Sequence, residues 1–121
     1  MPGIHTQKTI YDPPSPSDGK RILVMRFWPR GVKKSTLHLD RWVKELGTES
    51  SLIKKWKAGK IEWKEFAREY RKTLRENKTF LVELAEEAKK GTLSLLCSCK
   101  EEKHCHRYLL KKAIEALLNK R

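Results

Sequence analysis

The residues best suited to chemistry crowd into one short stretch near the end of the chain. That stretch contains Cys97, Cys99, His104, Cys105, His106 and Arg107. A thiol beside an imidazole is a pair used for nucleophilic catalysis, because the imidazole takes the thiol proton or orients the thiolate. We therefore name Cys97, Cys105 and His106 as the catalytic candidates.

A second group of reactive residues follows an apolar run in the first quarter of the chain, and consists of Arg26, Trp28, Arg30 and Lys33. Guanidinium groups bind phosphate and carboxylate through paired hydrogen bonds. Arg107 lies where the last predicted helix begins, and a helix N-terminus favours anions. We predict that these five residues bind a small anionic ligand, either phosphate or a nucleotide-like molecule. The same positive surroundings favour a thiolate at Cys97 or Cys105.

Zinc is the main competing interpretation of the cysteine cluster. Cys97, Cys99 and Cys105, with His104 or His106, supply four ligands of the types that zinc prefers. Their spacing lacks the usual closely spaced ligand pairs, so we expect no metal and no other cofactor. A Cys99–Cys105 disulfide is a further alternative if the source is a hyperthermophile.

Purely structural roles also remain open for these residues. At helical spacing His106 shares a face with Leu110, Ala113 and Leu117, which is typical of a packed histidine. Cys97 ends an apolar run, and cysteine is a common small core residue. For Arg26 and Arg30, the structural alternative to ligand binding is an ion pair with carboxylates on the helices.

The elements that must position these residues follow from hydrophobic periodicity. Strands are predicted at residues 6–11, 21–27 and 93–97, and helices at residues 39–47, 52–59, 63–74, 80–91 and 109–117. This order predicts an α/β fold with a small, three-stranded, mostly parallel sheet, and helices packed on it, in one compact domain over residues 1–121. If the second and third strands are parallel, their carboxyl ends meet at one rim, where open α/β sheets bind ligands.

Composition sets the remaining expectations. The 121 residues include 28 Lys plus Arg and 15 Asp plus Glu, a formal net charge of +13. This excess favours a second hypothesis, a nucleic-acid-binding module without catalysis whose binding is weak and indifferent to sequence. Abundant Lys, Arg and Glu with few amides is also common in heat-adapted proteins. No apolar run is long enough to span a membrane, so we expect a cytoplasmic protein without a membrane partner, and its oligomeric state stays open.

Three segments of the sequence resemble a known family: Tyr11-Asp12-Pro13-Pro14, Trp28-Pro29-Arg30-Gly31 and Cys105-His106-Arg107. The first two are similar to the YeaO-like short branch of the domain of unknown function 488 family, and the third is similar to the closing Cys-His-Arg signature of longer relatives in that family. The resemblance implies a compact α/β fold with helices packed on a small sheet, and it implies no substrate, cofactor or reaction. Two positions depart from the pattern, because Met25 stands where an aspartate is usual and Gly59 where a histidine often occurs.

Overall fold

A parallel β-sheet forms the centre of the protein, whose computed structural model describes residues 4–6, 9–98 and 105–119. Within those residues the strands are β1 (Ile4–His5), β2 (Lys20–Leu23), β3 (Arg41–Trp42) and β4 (Leu93–Leu96). Their spatial order is β1-β4-β2-β3, and every neighbouring pair is parallel. All four residues of β4 are buried, as expected for a central strand covered on both faces.

Helices supply the layers that bury this sheet. They are α1 (Lys34–Leu37), α2 (Ser50–Lys57), α3 (Trp63–Glu76), α4 (Lys78–Lys90) and α5 (His106–Asn119). Single 3₁₀ turns occupy Pro16–Asp18 and Lys44–Leu46. None of the described helices combines the length and the hydropathy that crossing a membrane requires.

Most of the predicted elements are confirmed. The α/β class and the parallel pairing hold, and β2, β4, α2, α3, α4 and α5 all lie within or across the ranges that periodicity predicted. The predicted first strand is misplaced, because β1 covers Ile4–His5 while Ile10 and Tyr11 lie in a turn. Residues 7–8 of that prediction lie outside the described residues.

The helix predicted over residues 39–47 is wrong, and this error explains why the sheet has four strands instead of three. The α1 helix ends at Leu37, and the left-handed backbone of the next residue, His38 (φ 49°), turns the chain. The chain then pairs with β2 as β3, with Trp42 opposite Leu23. Val43 and Leu46 are still buried in the core. Their apolar spacing is therefore compatible with a short strand followed by a turn as well as with a helix.

A buried ion pair fixes the turn that leads into β2. Asp18 and Arg21 are 3% and 4% exposed, and a guanidinium nitrogen of Arg21 lies 2.5 Å from the Asp18 carboxylate. Asp18 also accepts from the backbone of Ser15 in a capping box. Arg21 Nε donates to the Leu37 carbonyl at 2.8 Å, which ties the end of α1 to β2.

Tyr70 links α3 to the segment that precedes α2. Its side chain is fully buried, and its hydroxyl donates to the Leu46 carbonyl at 2.6 Å. Burial raises the pKa of the Tyr70 phenol well above its ordinary value of 10.0, and the nearby thiols of Cys105 and Cys97 act in the same direction. The phenol is therefore neutral and acts as a donor throughout the physiological range.

We expect Tyr70→Phe to lower the free energy of unfolding by about 1–3 kcal/mol, because the buried Leu46 carbonyl loses its donor. The matched control is Tyr108→Phe on α5, whose ring is only partly buried beside Lys112. Denaturant unfolding of both variants measures the difference. Equal losses for the two variants would contradict the assigned role of the Tyr70 hydroxyl.

The raised pKa also predicts how stability depends on pH. Since the folded pKa of Tyr70 exceeds the unfolded value, its contribution to stability is complete below pH of about 10 and falls as the pH rises toward the folded pKa. Ultraviolet titration of the folded protein should show one tyrosine that ionises late. That late step should be missing from Tyr70→Phe, and its persistence in the variant would refute the assignment.

Candidate functional site

A cavity of about 420 Å³ lies beyond the carboxyl ends of β2 and β4. Its volume falls within the usual range for small-molecule sites. The loop after β2, the residues after β4, the start of α5 and one face of α2 form its wall. The described lining residues are Tyr11, Met25, Arg26, Phe27, Trp28, Pro29, Arg30, Thr48, Ser50, Ile53, Trp56, Lys57, Phe66, Cys97, Ser98, Cys105 and His106.

The parallel pairing of β2 with β4 aligns the two segments that carry this wall. Val24 N donates to the Leu96 carbonyl at 3.0 Å, which continues the ladder one residue beyond β2. On the other side of β4, Ile10 N donates to the Cys97 carbonyl at 3.2 Å. Residues 25–30 and residues 97–98 therefore leave the sheet at the same level and enclose the same space.

A close backbone approach positions Arg26. A guanidinium nitrogen of Arg26 donates to the Gly47 carbonyl at 3.1 Å. A Cβ atom at Gly47 would lie only 2.2 Å from the Arg26 backbone nitrogen, so no side chain fits at that position. Glycine at position 47 thus lets the chain before α2 pack directly on the loop after β2.

The charged side chains on the wall are all cationic. Arg26, Arg30 and Lys57 line the cavity, and none of the described lining residues is acidic. Two buried polar atoms on this wall, Arg26 Nε and Thr48 Oγ1, have no hydrogen-bond partner within the described part of the chain. Thr48 is only 5% exposed. The wall therefore combines positive charge with unused hydrogen-bonding capacity.

Aromatic rings make up much of the remaining wall. Tyr11 and Phe27 are 63% and 65% exposed, and are thus available at the mouth. Deeper in the wall, Trp28 is fixed by a 2.6 Å hydrogen bond from its Nε1 to the Val32 carbonyl. Trp56 packs against Phe66, with ring centroids 6.3 Å apart. These rings offer flat apolar surfaces on several sides of the cavity.

The cysteine and histidine side chains form a compact buried cluster against the cavity. Cys97 Sγ lies 3.2 Å from Cys105 Sγ, and Cys105 Sγ lies 3.8 Å from His106 Nδ1. His106 Nε2 is 2.6 Å from the Val24 carbonyl. A carbonyl oxygen only accepts hydrogen bonds, so Nε2 carries the proton and the Nδ1 edge of the ring faces the thiols. The edge-on ring of Tyr70, 5.5 Å from His106, packs against this imidazole.

The structure brings six of the eight predicted site residues to this one wall. They are Arg26, Trp28, Arg30, Cys97, Cys105 and His106. Lys33 and Arg107 are not among the described lining residues, and Arg107 is only 1% exposed. The ligand-binding roles of Lys33 and Arg107 stay predictions. The catalytic roles of Cys97, Cys105 and His106 stay predictions as well. Cys99 and His104, which enter the zinc and disulfide alternatives, lie outside the described residues.

Sequence reasoning missed the contribution of α2. Four residues of this helix line the cavity: Ser50, Ile53, Trp56 and Lys57. Their spacing of three and four residues marks one helix face. That spacing is visible in the sequence, but the sequence does not show which part of the fold this helix face lies against. Met25, one of the two departures from the family pattern, also lines the cavity.

Comparisons with known proteins place the chain in a family. Residues 4–121 match the sequence profile described as the inactive DUF488-N3 subclade. The chain is 40% identical over 103 residues to the uncharacterized protein YeaO of Escherichia coli K12, a match that covers 85% of this chain and 90% of YeaO. It is 29% identical over 68 residues to uncharacterized proteins of Mycobacterium bovis and Mycobacterium tuberculosis, covering 56% of this chain and 58% of theirs.

No solved structure matches the chain significantly. The profile spans both the Trp28-Pro29-Arg30-Gly31 segment and the Cys105-His106-Arg107 segment on which the resemblance was first based. The chain therefore belongs to the domain of unknown function 488 family, within its inactive DUF488-N3 subclade.

Proposed function

We propose that the cavity binds a small anionic ligand with a planar ring, such as a nucleotide, and that the protein binds this ligand without turning it over. The observation that carries the proposal is the composition of the wall. Three cations and five aromatic residues surround a space of about 420 Å³, and the described lining contains no carboxylate. A phosphate and a nucleobase require these two kinds of surface.

The cationic side chains account for recognition of the phosphate. Arg30 is exposed at the wall, whereas Arg26 is half-buried and held by the Gly47 carbonyl. A partly desolvated guanidinium interacts more strongly with an anion than a fully hydrated one, because the local dielectric constant is lower. The remaining donor capacity of Arg26 Nε and Thr48 Oγ1 supports a ligand that accepts hydrogen bonds.

The aromatic side chains account for recognition of the ring. Tyr11 and Phe27 line the cavity and are both more than half exposed, so their rings are accessible to a ligand. Stacking of a base on an aromatic side chain contributes about 1–3 kcal/mol. The proposal therefore assigns the base to the aromatic surfaces and the phosphate to the cations.

Binding without turnover is supported by the family match. The matching subclade is described as inactive. In addition, His106 Nε2 is engaged by the Val24 carbonyl inside the protein, which leaves only the Nδ1 edge for the thiols. The Cys97, Cys105 and His106 cluster is thus proposed as part of the cavity wall and not as a nucleophile that attacks the ligand.

We expect Arg30→Ala to weaken the binding of a nucleoside monophosphate by about tenfold or more, since one charge-assisted hydrogen bond contributes about 1.5–3 kcal/mol. Lys33→Ala is the matched comparison, because it removes the same charge from the same loop but from a residue that does not line the cavity, and it should weaken binding less than Arg30→Ala does. Calorimetric titration with the nucleotide, the uncharged nucleoside and inorganic phosphate separates the two halves of the ligand. The melting temperature of both variants should stay close to that of the wild type.

Two outcomes of this titration would contradict the proposal. One is the absence of heat with all three ligands at millimolar concentration. The other is equal weakening by Arg30→Ala and Lys33→Ala, which would indicate general attraction to a basic protein and no defined site.

A second candidate function, nucleic-acid binding, is favoured by the net charge of +13. An interaction that depends on this charge releases counterions, so its affinity must fall steeply as salt rises. We expect fluorescence anisotropy with a single-stranded oligonucleotide to show weak binding at low salt, the same for different sequences, and about tenfold or greater weakening at physiological salt. Affinity that is unchanged between the two salt concentrations would exclude this candidate.

A further inference from the structure

We propose that Cys97, Cys105 and His106 form a binding site for zinc, with the fourth coordination position directed toward the cavity. The three ligand atoms lie within 4.8 Å of one another, and all three side chains are buried. This site goes beyond the proposed nucleotide binding and does not depend on it, because the protein ligands alone define it.

The distances between the ligand atoms fit a tetrahedral ion after small rotations of the side chains. Zinc binds sulfur at about 2.3 Å and imidazole nitrogen at about 2.0–2.1 Å, which places tetrahedral ligands roughly 3.5–3.8 Å apart. The observed separations are 3.2 Å between the two sulfurs and 3.8 Å between Cys105 Sγ and His106 Nδ1. The third pair, Cys97 Sγ and His106 Nδ1, lies within 4.8 Å.

The hydrogen bond of His106 is the second, independent indication of a metal ligand. Histidines that bind zinc through one ring nitrogen almost always donate the other N–H to a carboxylate, carbonyl or water, which fixes the tautomer and the ring orientation. His106 Nε2 donates to the Val24 carbonyl at 2.6 Å, and Nδ1 faces Cys105 Sγ. With Nε2 protonated, Nδ1 is the unprotonated nitrogen, as a zinc ligand must be, and it lies 3.8 Å from Cys105 Sγ.

Charge balance explains how a buried site tolerates a dication. Cys97, Cys105 and His106 are only 2%, 3% and 8% exposed, so an uncompensated charge there would be strongly unfavourable. Two thiolates neutralise Zn²⁺, and their two protons pass to solvent when the metal binds. Sulfur and imidazole ligands favour zinc over magnesium and calcium, which prefer oxygen ligands.

The spacing rule that disfavoured zinc from the sequence does not apply to this ligand set. It assumes ligand pairs held on one tight turn, whereas Cys97 directly follows β4, Cys105 directly precedes α5 and His106 is the first residue of α5. These two elements follow each other in the chain and pack against each other. All three residues also line the cavity, so the open coordination position is accessible to water or to a ligand oxygen.

The test begins with the reduced, full-length protein dialysed against a chelator and then titrated with zinc or cobalt(II) alone. We expect one equivalent of zinc to bind, release of about two protons, and no binding of magnesium. The cobalt(II) form should show a thiolate-to-metal charge-transfer band and the intense visible bands of a tetrahedral ion. X-ray absorption of the wild-type zinc form should show two sulfurs at about 2.3 Å and one imidazole nitrogen.

The variants identify the ligands. Cys97→Ser and Cys105→Ser should each weaken zinc binding by more than about 100-fold. Loss of a residue that only hydrogen-bonds to a metal ligand typically weakens metal binding by about 10- to 100-fold, so a larger effect identifies a ligand. Cys99→Ser is the matched control and should keep the wild-type affinity and cobalt spectrum. The proposal is overturned if the reduced wild-type protein takes up no zinc, if X-ray absorption shows no sulfur, or if Cys99→Ser loses the metal. The X-ray absorption result holds even if a cysteine variant fails to fold.

Discussion

The parallel pairing of β2 with β4 is the constraint on which the rest of the structure depends. Because the two strands run in the same direction, the chain leaves both of them at one rim of the sheet. Val24 shows how closely the site follows from this pairing. Its N–H continues the ladder to Leu96, and its carbonyl accepts the hydrogen bond from His106. A shift in the register of these strands would move the Val24 carbonyl, which binds His106, relative to Cys97.

Cationic side chains and a cluster of two cysteines and a histidine lie on the same wall at this rim. Positive side chains such as Arg26 and Arg30 would attract an anion to the cavity, and the two buried thiols and the imidazole on the same wall are ligand types that zinc prefers. A zinc ion bound by Cys97, Cys105 and His106 would add a Lewis acid to the same wall without adding net charge, because two thiolates compensate it. The open position of such a site takes water or a ligand oxygen, so the two proposals describe compatible uses of one cavity.

Much of this arrangement was predictable from the sequence because local periodicity encodes it. The apolar runs that became β2 and β4 and the helical spacing of α3 identified the α/β layers, and the parallel direction placed Arg26 and Cys97 at one rim. Prediction failed where an apolar pattern fits two local structures, as for Val43, which lies between a short strand and a turn and not in a helix. Prediction also missed the contribution of α2 to the cavity. The periodicity shows that Lys57 shares a helix face with its neighbours, but what this face packs against depends on contacts between distant segments.

The central claim is that a nucleotide-like anion binds inside this cavity, and the four tryptophans provide the most direct measurement. Trp28 and Trp56 line the cavity, whereas Trp42 and Trp63 do not. In a ¹⁵N-labelled sample titrated with a nucleoside monophosphate, the indole N–H signals of Trp28 and Trp56 should shift most, in a saturable manner and with a common affinity. Shifts confined to Trp42 and Trp63, or no saturable shift at any of the four, would contradict the account.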